Sequence, residues 1–321
     1  MVLTYADAPP FTGLRPLNLT RDAREVSSLL MLVFNPTLDA EGRRALQNMN
    51  ETSPLAWRMT QLTSSVSAGF VYELGGRIVG NVSIIPTHRA GRFVIANVAV
   101  HPDSQRQGIG RQLTAAALAH LRQHQAHTAV LQVAVDNPGA RRLYENLGFE
   151  VVGECTTWQS SARALREIPD NSQFAIRALR AREYKTAYQI DLASQPADLN
   201  WPDATQPETY KRGVWQWLDS FLNGQQAETW VVPDEQDRPL ALASIWSAWG
   251  RPHEMTVRAP AEWQATLTRP LLAKLLRRLT YLRQRQVTID HRADDVEMNA
   301  LLPEAGFRPK RTLTTMRINL R

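Results

Sequence analysis

The sequence predicts an α/β chain of two related domains in tandem, and three observations carry that prediction. Residues 96–110, ANVAVHPDSQRQGIG, run from an apolar stretch of strand type through a polar loop into RQLTAAALAHLR (111–122), whose apolar residues recur at helical spacing. Residues 129–135, AVLQVAV, then read as a buried strand followed by a short helix and another strand. Third, residues 96–158 overlay 254–316 without a gap, with twelve of the 63 positions identical. Chance would supply about a third as many, given ordinary residue usage. The shared positions, among them Leu113/Leu271, Leu118/Leu276, Gly148/Gly306 and Phe149/Phe307, are helix cores, a glycine cap and a strand start, so the repeat preserves architecture.

In chain order, residues 14–17 read as a short strand and 21–34 as an amphipathic helix with Thr20 as its N-cap. The polar stretch 35–67 holds helical pieces at 39–49 and 54–62. Residues 70–73 and 77–86 flank Gly75-Gly76 and read as a β-hairpin. The next strand, 93–100, is stopped by His101-Pro102. Glycines at 108 and 110 then let successive N–H groups turn toward one point, and the helix start adds unpaired donors and a partial positive charge. Such a loop is built to hold an anion, with Gln105 and Arg106 as added donors, although a plain glycine turn before a helix reads the same in isolation. In the second motif Asn137 stands as N-cap and Pro138 at the first helical position; Ala140, Leu143, Tyr144 and Leu147 share a face, and Gly148 ends the helix. Residues 151–157 form a strand. Periodicity then fades, placing a domain boundary near residue 168, with domains 1–168 and 169–321.

Taken together, the Q/R-x-x-G-x-G loop after a strand, and the strand followed by Asn-x-x-Ala-x-x-x-Tyr-x-x-x-Gly-Phe, resemble the GNAT superfamily of acetyl-CoA-dependent N-acetyltransferases. The tandem arrangement is similar to that of mycothiol synthase. A dinucleotide fingerprint would need a third glycine where Leu113 stands, and a P-loop would need Gly-Lys-Ser/Thr. The resemblance implies, for each domain, a mixed, mostly antiparallel twisted sheet flanked by helices, with a splayed pair of central parallel strands. It implies that Val98, Ala99 and Val100 pair their backbone with the pantetheine arm of acetyl-CoA, an N–H near Val98 polarising the thioester carbonyl. Gln105, Arg106, Gln107, Gly108, Ile109, Gly110 and Arg111 would hold the pyrophosphate, with Asn137 also on the cofactor's path. Tyr144 resembles the general acid that protonates the departing thiolate. Moving a proton from a phenol near pKa 10 to a thiolate near 8.5 costs about 2 kcal/mol. A core role for Tyr144 and a capping role for Asn137 are the alternatives.

The acceptor would be a primary amine on a small molecule or peptide. The segment 35–67 resembles the part that shapes its pocket, but Trp57, Arg58, Met59 and Thr60 do not name it. The general base stays open among Glu73, His88, His101 and a chain of water. No G-x-S-x-G elbow is present and Cys155 lies past the helix, so transfer by direct attack in a ternary complex is expected. In the second copy Thr266 and Thr268 replace the two glycines, Asp295 replaces Asn137 and puts a repelling negative charge where a phosphate-bearing ligand would pass, and Leu302 replaces Tyr144. The C-terminal half is therefore expected to keep the architecture without the reaction, as scaffold, pocket wall or the surface of a homodimer. A non-catalytic acyl-CoA-binding module is the competing reading, and retention of Tyr144 speaks for the enzyme.

Composition narrows the partners. The formal charge is +6, and with lysine only at 185, 211, 274 and 310 the basic residues are nearly all arginine. They are dispersed, and the densest group, Arg269 to Arg285, backs onto leucines, so a solvated helix face is expected and nucleic acid is not. His120, His124 and His127 have a spacing that could hold a metal, yet they end a helix where such residues are favoured anyway, and no metal is expected. No apolar run reaches the roughly 18 residues of a membrane span, and MVLTYADAPP lacks a basic leader region. A single cysteine excludes an intramolecular disulfide framework. These features lead us to expect a cytoplasmic protein.

Overall fold

The computed structural model describes residues 11–34, 69–170, 172–201, 205–211 and 225–321. The helical pieces expected at 39–49 and 54–62, and the residues 57–60, lie outside these. The chain forms two compact units, one of residues 1–132, 138–150 and 316–321, the other of residues 133–137 and 151–315.

In the first unit β1 (Gly13–Pro16), β2 (Gly69–Leu74), β3 (Arg77–Pro86) and β4 (Arg92–Val100) are antiparallel neighbours in that order. β5 (Thr128–Ala134) then runs parallel to β4, and the last residues of the chain continue the sheet beside it, Leu320 N donating to His127 O at 2.9 Å. The β2–β3 turn carries Gly75 and Gly76 at φ 58° and 80°, the paired left-handed conformation that a two-residue hairpin requires. α1 (Leu19–Phe34) lays Val26, Leu29 and Leu30 against Val71, Ile78 and Ala99. Its cap is Asn18, whose Oδ1 accepts from Thr20 N and Arg21 N; Thr20, expected to cap, is already inside the helix. α2 (Ile109–Gln123) sits close on β3 because residue 80 is glycine. A Cβ there would stand 2.8 Å from Leu113 Cδ1 and 2.9 Å from Ile109 Cγ2.

The start of α1 is tied to the sheet by a buried carboxylate. Asp22 accepts from Arg15 Nη1 at 2.6 Å and Nη2 at 3.0 Å, from Arg21 Nε at 2.9 Å and from Asn18 N at 2.9 Å. Arg15 also bonds Glu73, so β1, α1 and β2 share one ion network. Burial disfavours the Asp22 carboxylate, but the bonds from Arg15, Arg21 and Asn18 outweigh it and hold its pKa below the ordinary range.

The second unit contains β6 (Glu150–Ser160), of which it takes residues from 151 on, β7 (Arg177–Ala178), β8 (Gln225–Pro233), β9 (Pro239–Ala248), β10 (His253–Arg258) and β11 (Val287–Arg292). The order is β6-β11-β10-β9-β8-β7, with only β10 and β11 parallel. β12 (Arg308–Asn319) flanks β6, where Thr314 Oγ1 donates to Glu154 Oε1 at 3.0 Å. α5 (Gln264–Leu279) buries Leu267, Leu271, Leu272, Leu275 and Leu276 in the core, while α4 (Tyr184–Ser194) packs Ala187 and Ile190 near Val231 and Leu242. Each repeat ends on a strand that joins the unit centred on the other: β6 belongs with β11, and residues 316–321 belong with β5. Among the described residues, no helix is long and apolar enough to cross a membrane.

Removing one member of a buried ion pair strands the other, so Asp22→Ala should destabilise the first unit by about 3–5 kcal/mol, read as a lower melting temperature. Because the folded-state pKa of Asp22 is depressed, its contribution is present above the unfolded carboxyl pKa near 4 and disappears as pH falls through the folded value. The gap between wild type and Asp22→Ala should therefore be wide at pH 7 and narrow on acidification.

Candidate functional site

The site is opened by a pairing that ends early. β4 and β5 are joined at Arg92–Thr128, Phe93–Ala129 and Val94–Val130, yet β4 continues to Val100, so beyond Val94 its edge is freed from its parallel neighbour. On its other edge β4 carries one extra residue. The register steps from Asn81↔Ala99 to Ser83↔Ala96, leaving Asn97 and Val98 opposite Val82, with Asn97 at φ 53°. Val98, Ala99 and Val100 thus form the end of a strand that is bulged on one side and open on the other.

After Val100 the chain turns through a 3-10 segment (Pro102–Ser104) into the loop. Gln105 Nε2 donates to Val100 O at 3.2 Å, so this side chain braces the strand end. Arg106 and Gly108 both adopt left-handed φ, 60° and 78°, and Gln107 lies between them. Gly108 is the N-cap of α2; the first intrahelical bond runs from Gln112 N to Gly108 O at 3.0 Å. The amides of Ile109, Gly110 and Arg111 precede that bond and have no acceptor within the helix, which makes this end an anion cradle. A Cβ on Gly108 would meet nothing within 4 Å, so the cradle is open. Gly110 differs from expectation. It lies inside the first helical turn, not in a left-handed conformation, and a Cβ there would make ordinary contact with Leu143 Cδ1 at 3.5 Å and Val100 Cγ2 at 3.7 Å. Arg106 takes the second left-handed position because the helix begins already at Ile109.

Gly110 thus lies beside Val100 and beside Leu143 of α3 (Pro138–Glu145). α3 begins at Pro138, as its N-terminal proline predicts, and Gly148 at φ 92° closes it with Phe149 N donating to Tyr144 O at 3.0 Å. Tyr144 is 6% exposed and meets Phe149 edge to face at 5.9 Å. Its hydroxyl makes no hydrogen bond among the described residues. Burial pushes its pKa up to about 12, so the phenol keeps its proton at neutral pH. Against a solvent-like thiol the transfer cost rises from about 2 to about 5 kcal/mol, unless the same dry surroundings also raise the basicity of the departing sulfur. Asn137 lies in the second unit, its N–H bonded to Ala134 O at 2.9 Å.

Among the candidate bases, Glu73 is engaged: the hydrogen bond from Arg15, working against burial, holds its carboxyl below the usual range. His101 Nδ1 accepts from Asp103 N at 3.3 Å, and His88 lies in the β3–β4 turn. His120 and His124 lie with ring centroids 4.2 Å apart and their planes tilted by 44°, with His124 Nδ1 against His120 O, whereas His127 lies beyond the helix. No His, Cys, Asp and Glu group able to hold a metal occurs among the described residues. Burial, with help from Asp290, pushes the Cys155 thiol up to about 12, so it is held as an unreactive thiol.

The second copy is built differently at the helix start, at the helix cap and at the position of Tyr144. A 3-10 segment (Ala261–Trp263) feeds α5 directly, so Thr266 and Thr268 are helical and no left-handed residue precedes the helix. The cavity at this helix start, about 350 Å³, is lined by Asp170 and Glu297 as well as Thr266 and Arg269. Asp295 caps α6 (Val296–Glu304), accepting from Met298 N at 3.0 Å and from His291 Nε2 at 2.7 Å. Its charge, expected to repel a phosphate, is instead buried and spent on the cap. Leu302 is fully buried core. Parallel pairing of β10 and β11 also stops early, at Met255–Ile289, but here the strand ends are tied down. Arg258 donates to Asp191 at 2.6 Å and to Asn200 at 3.2 Å, Arg292 donates to Ser194 O at 3.0 Å, and Leu199 presses on Gly153. These ties carry no periodic or motif signal in the sequence.

Residues 39–149 match the acetyltransferase (GNAT) family. That stretch is similar to a GNAT acetyltransferase domain. Curated relatives include mycothiol acetyltransferases of Saccharomonospora viridis, 41% identical over 80 residues covering 25% of this chain and 22% of that one, and of Streptomyces coelicolor, 34% identical over 82 residues covering 25% and 26%. The match thus spans about a quarter of each. Over the whole fold the chain resembles a tandem GNAT protein from the clavulanic acid biosynthesis pathway (17% identity, 97% and 99% coverage, TM-score 0.51). It also resembles a GCN5-related N-acetyltransferase from Sphaerobacter thermophilus (14%, 96% and 95%, TM-score 0.61). The mixed sheets, helices and splayed parallel pairs are those of this fold.

Because the space beside Gly108 is open, Gly108→Val acts through its backbone, a β-branched residue in a left-handed conformation costing about 1–2 kcal/mol. Relief of that strain would unwind the cradle, so calorimetric titration should show loss of CoA binding with a melting temperature only a few degrees lower. Gly108→Asn, which tolerates the conformation, should retain most of the affinity.

Proposed function

We propose that the protein is an N-acetyltransferase that moves an acetyl group from acetyl-CoA to a primary amine on a small molecule or peptide by direct attack in a ternary complex. The observation that carries the reading is the open helix N-terminus at Ile109–Arg111 beside a strand end, Val98–Val100, freed from its parallel neighbour. A pyrophosphate fits that cradle, and an extended amide-bearing arm fits the freed strand edge. Gln105 to Arg111 hold the diphosphate, and the backbone of Val98, Ala99 and Val100 pairs with the arm. The donor supplies the acyl group as a thioester.

In this reading the Val98 N–H is aimed at the carbonyl oxygen where negative charge develops. The amine nitrogen forms a bond to the carbonyl carbon as the carbon–sulfur bond breaks, and Tyr144 delivers its proton to the departing sulfur. The amine loses its proton to water or to a base such as His101, and solvent restores the phenol. The repeats divide near residue 168, with the reaction in the N-terminal copy and the C-terminal copy keeping the architecture without it. A cytoplasmic location belongs to the same reading, supported by the lone unpaired cysteine. The mycothiol acetyltransferase names of the relatives make the acceptor of a mycothiol acetyltransferase the first to try.

Incubation with acetyl-CoA and a panel of amines, with thiol release as readout, tests the reading. Binding without release on any amine would favour a non-catalytic acyl-CoA module. Tyr144→Phe should lower kcat by about ten- to a thousand-fold with acetyl-CoA affinity little changed, the span expected for loss of a general acid. Unchanged kcat at saturation would remove Tyr144 from the mechanism.

A further inference from the structure

The bulge in β4 is held by a side chain that no motif marks. Asn81 lies in the middle of β3, fully buried, on the face opposite the one that Gly80 turns to α2. Its Nδ2 donates to Asn97 O at 2.9 Å, the carbonyl of the residue that the bulge throws into a left-handed conformation. Ser83 Oγ lies 3.4 Å from Asn81 Nδ2 and 3.2 Å from Asn97 Nδ2, closing a three-residue brace. Asn81 Oδ1 is buried and has no hydrogen-bond partner among the described residues. The amide cannot rotate to satisfy that oxygen without turning it against the Asn97 carbonyl, so the brace is kept although half of the amide goes unpaired. Buried unsatisfied groups and left-handed non-glycine residues concentrate where geometry serves function, and here both lie at one bulge.

We propose that Asn81 is a positioning residue for acetyl transfer: by holding the Asn97 carbonyl it fixes the bulge, and with it the direction of the Val98 N–H. This rests on the acetyltransferase reading. Asn81 itself touches neither donor nor acceptor, and it lies on a different strand from the loop of residues 105–111. Its loss should therefore separate the two ends of the donor site, leaving diphosphate binding intact while misaligning the amide that faces the thioester.

The test is backbone amide NMR of the full chain titrated with acetyl-CoA, comparing wild type with Asn81→Ala and with Asn81→Asp, which keeps the shape but removes the donor. In wild type the Val98 and Gly110 amide resonances should both shift. In both variants the Gly110 shift should persist at an unchanged titration midpoint, while the Val98 shift is lost, and kcat should fall about tenfold or more with little change in the acetyl-CoA KM. Asn97→Gly, which eases the backbone conformation without touching the brace donor, should keep the Val98 shift. Equal Val98 shifts in Asn81→Ala and wild type would overturn the proposal, as would loss of both shifts together in folded Asn81→Asp. Absence of either shift in wild type would overturn the donor-binding reading and this inference with it.

Discussion

Three residue pairs join β4 to β5, and the shortness of that parallel pairing is the constraint on which the candidate site depends. Two strands paired along their full length would present a closed ladder with every N–H and C=O engaged. Because pairing stops at Val94–Val130, the remainder of β4 has one edge without its parallel partner. The bulge at Asn97 and Val98 then sets which way that edge faces, and the left-handed Arg106 and Gly108 bring α2 in with its first amides free. Leu143 and Val100 flank Gly110, so the helix start, the strand end and the helix that carries Tyr144 adjoin one another. Backbone, more than side chains, makes the site.

Duplication supplies an internal control. The second unit has the same early end to its parallel pair, yet Arg258 with Asp191 and Asn200, and Arg292 with Ser194, tie its strand ends to α4 and the turn after it. Its central helix is entered from a 3-10 turn, and its capping aspartate is bound to His291. A buried arginine–carboxylate pair is costly to break, so this gap is closed by the same physics that keeps Asp22 against Arg15 in the first unit. Sharing a fold therefore does not mean sharing the geometry of the strand ends.

Local chemistry was legible where it is written in consecutive residues. Gly75-Gly76 marked the hairpin, Pro138 the start of α3 and Gly148 its end, because each answers a backbone demand within a few positions. Long-range pairing was not. The partner of β6 is β11, a choice made by register between residues more than a hundred apart, which no local pattern encodes. Gly110 was misread because a glycine pair suggests two left-handed residues, whereas the helix begins at Ile109 and leaves that role to Arg106. Asp295 was read for its charge alone; its burial against His291 and Met298 depends on packing. Asn81 gave no signal, since a polar residue inside a strand shows its purpose only once the bulge opposite it is seen.

The central claim is that the N-terminal copy alone accepts acetyl-CoA, and its stoichiometry tests this most directly. Isothermal titration of the purified chain with CoA should give close to one site per chain, and Arg269→Ala, at the helix start of the second copy, should leave that value and its affinity unchanged. A stoichiometry near two, or a single site abolished by Arg269→Ala, would contradict the account and move the donor site to the C-terminal half.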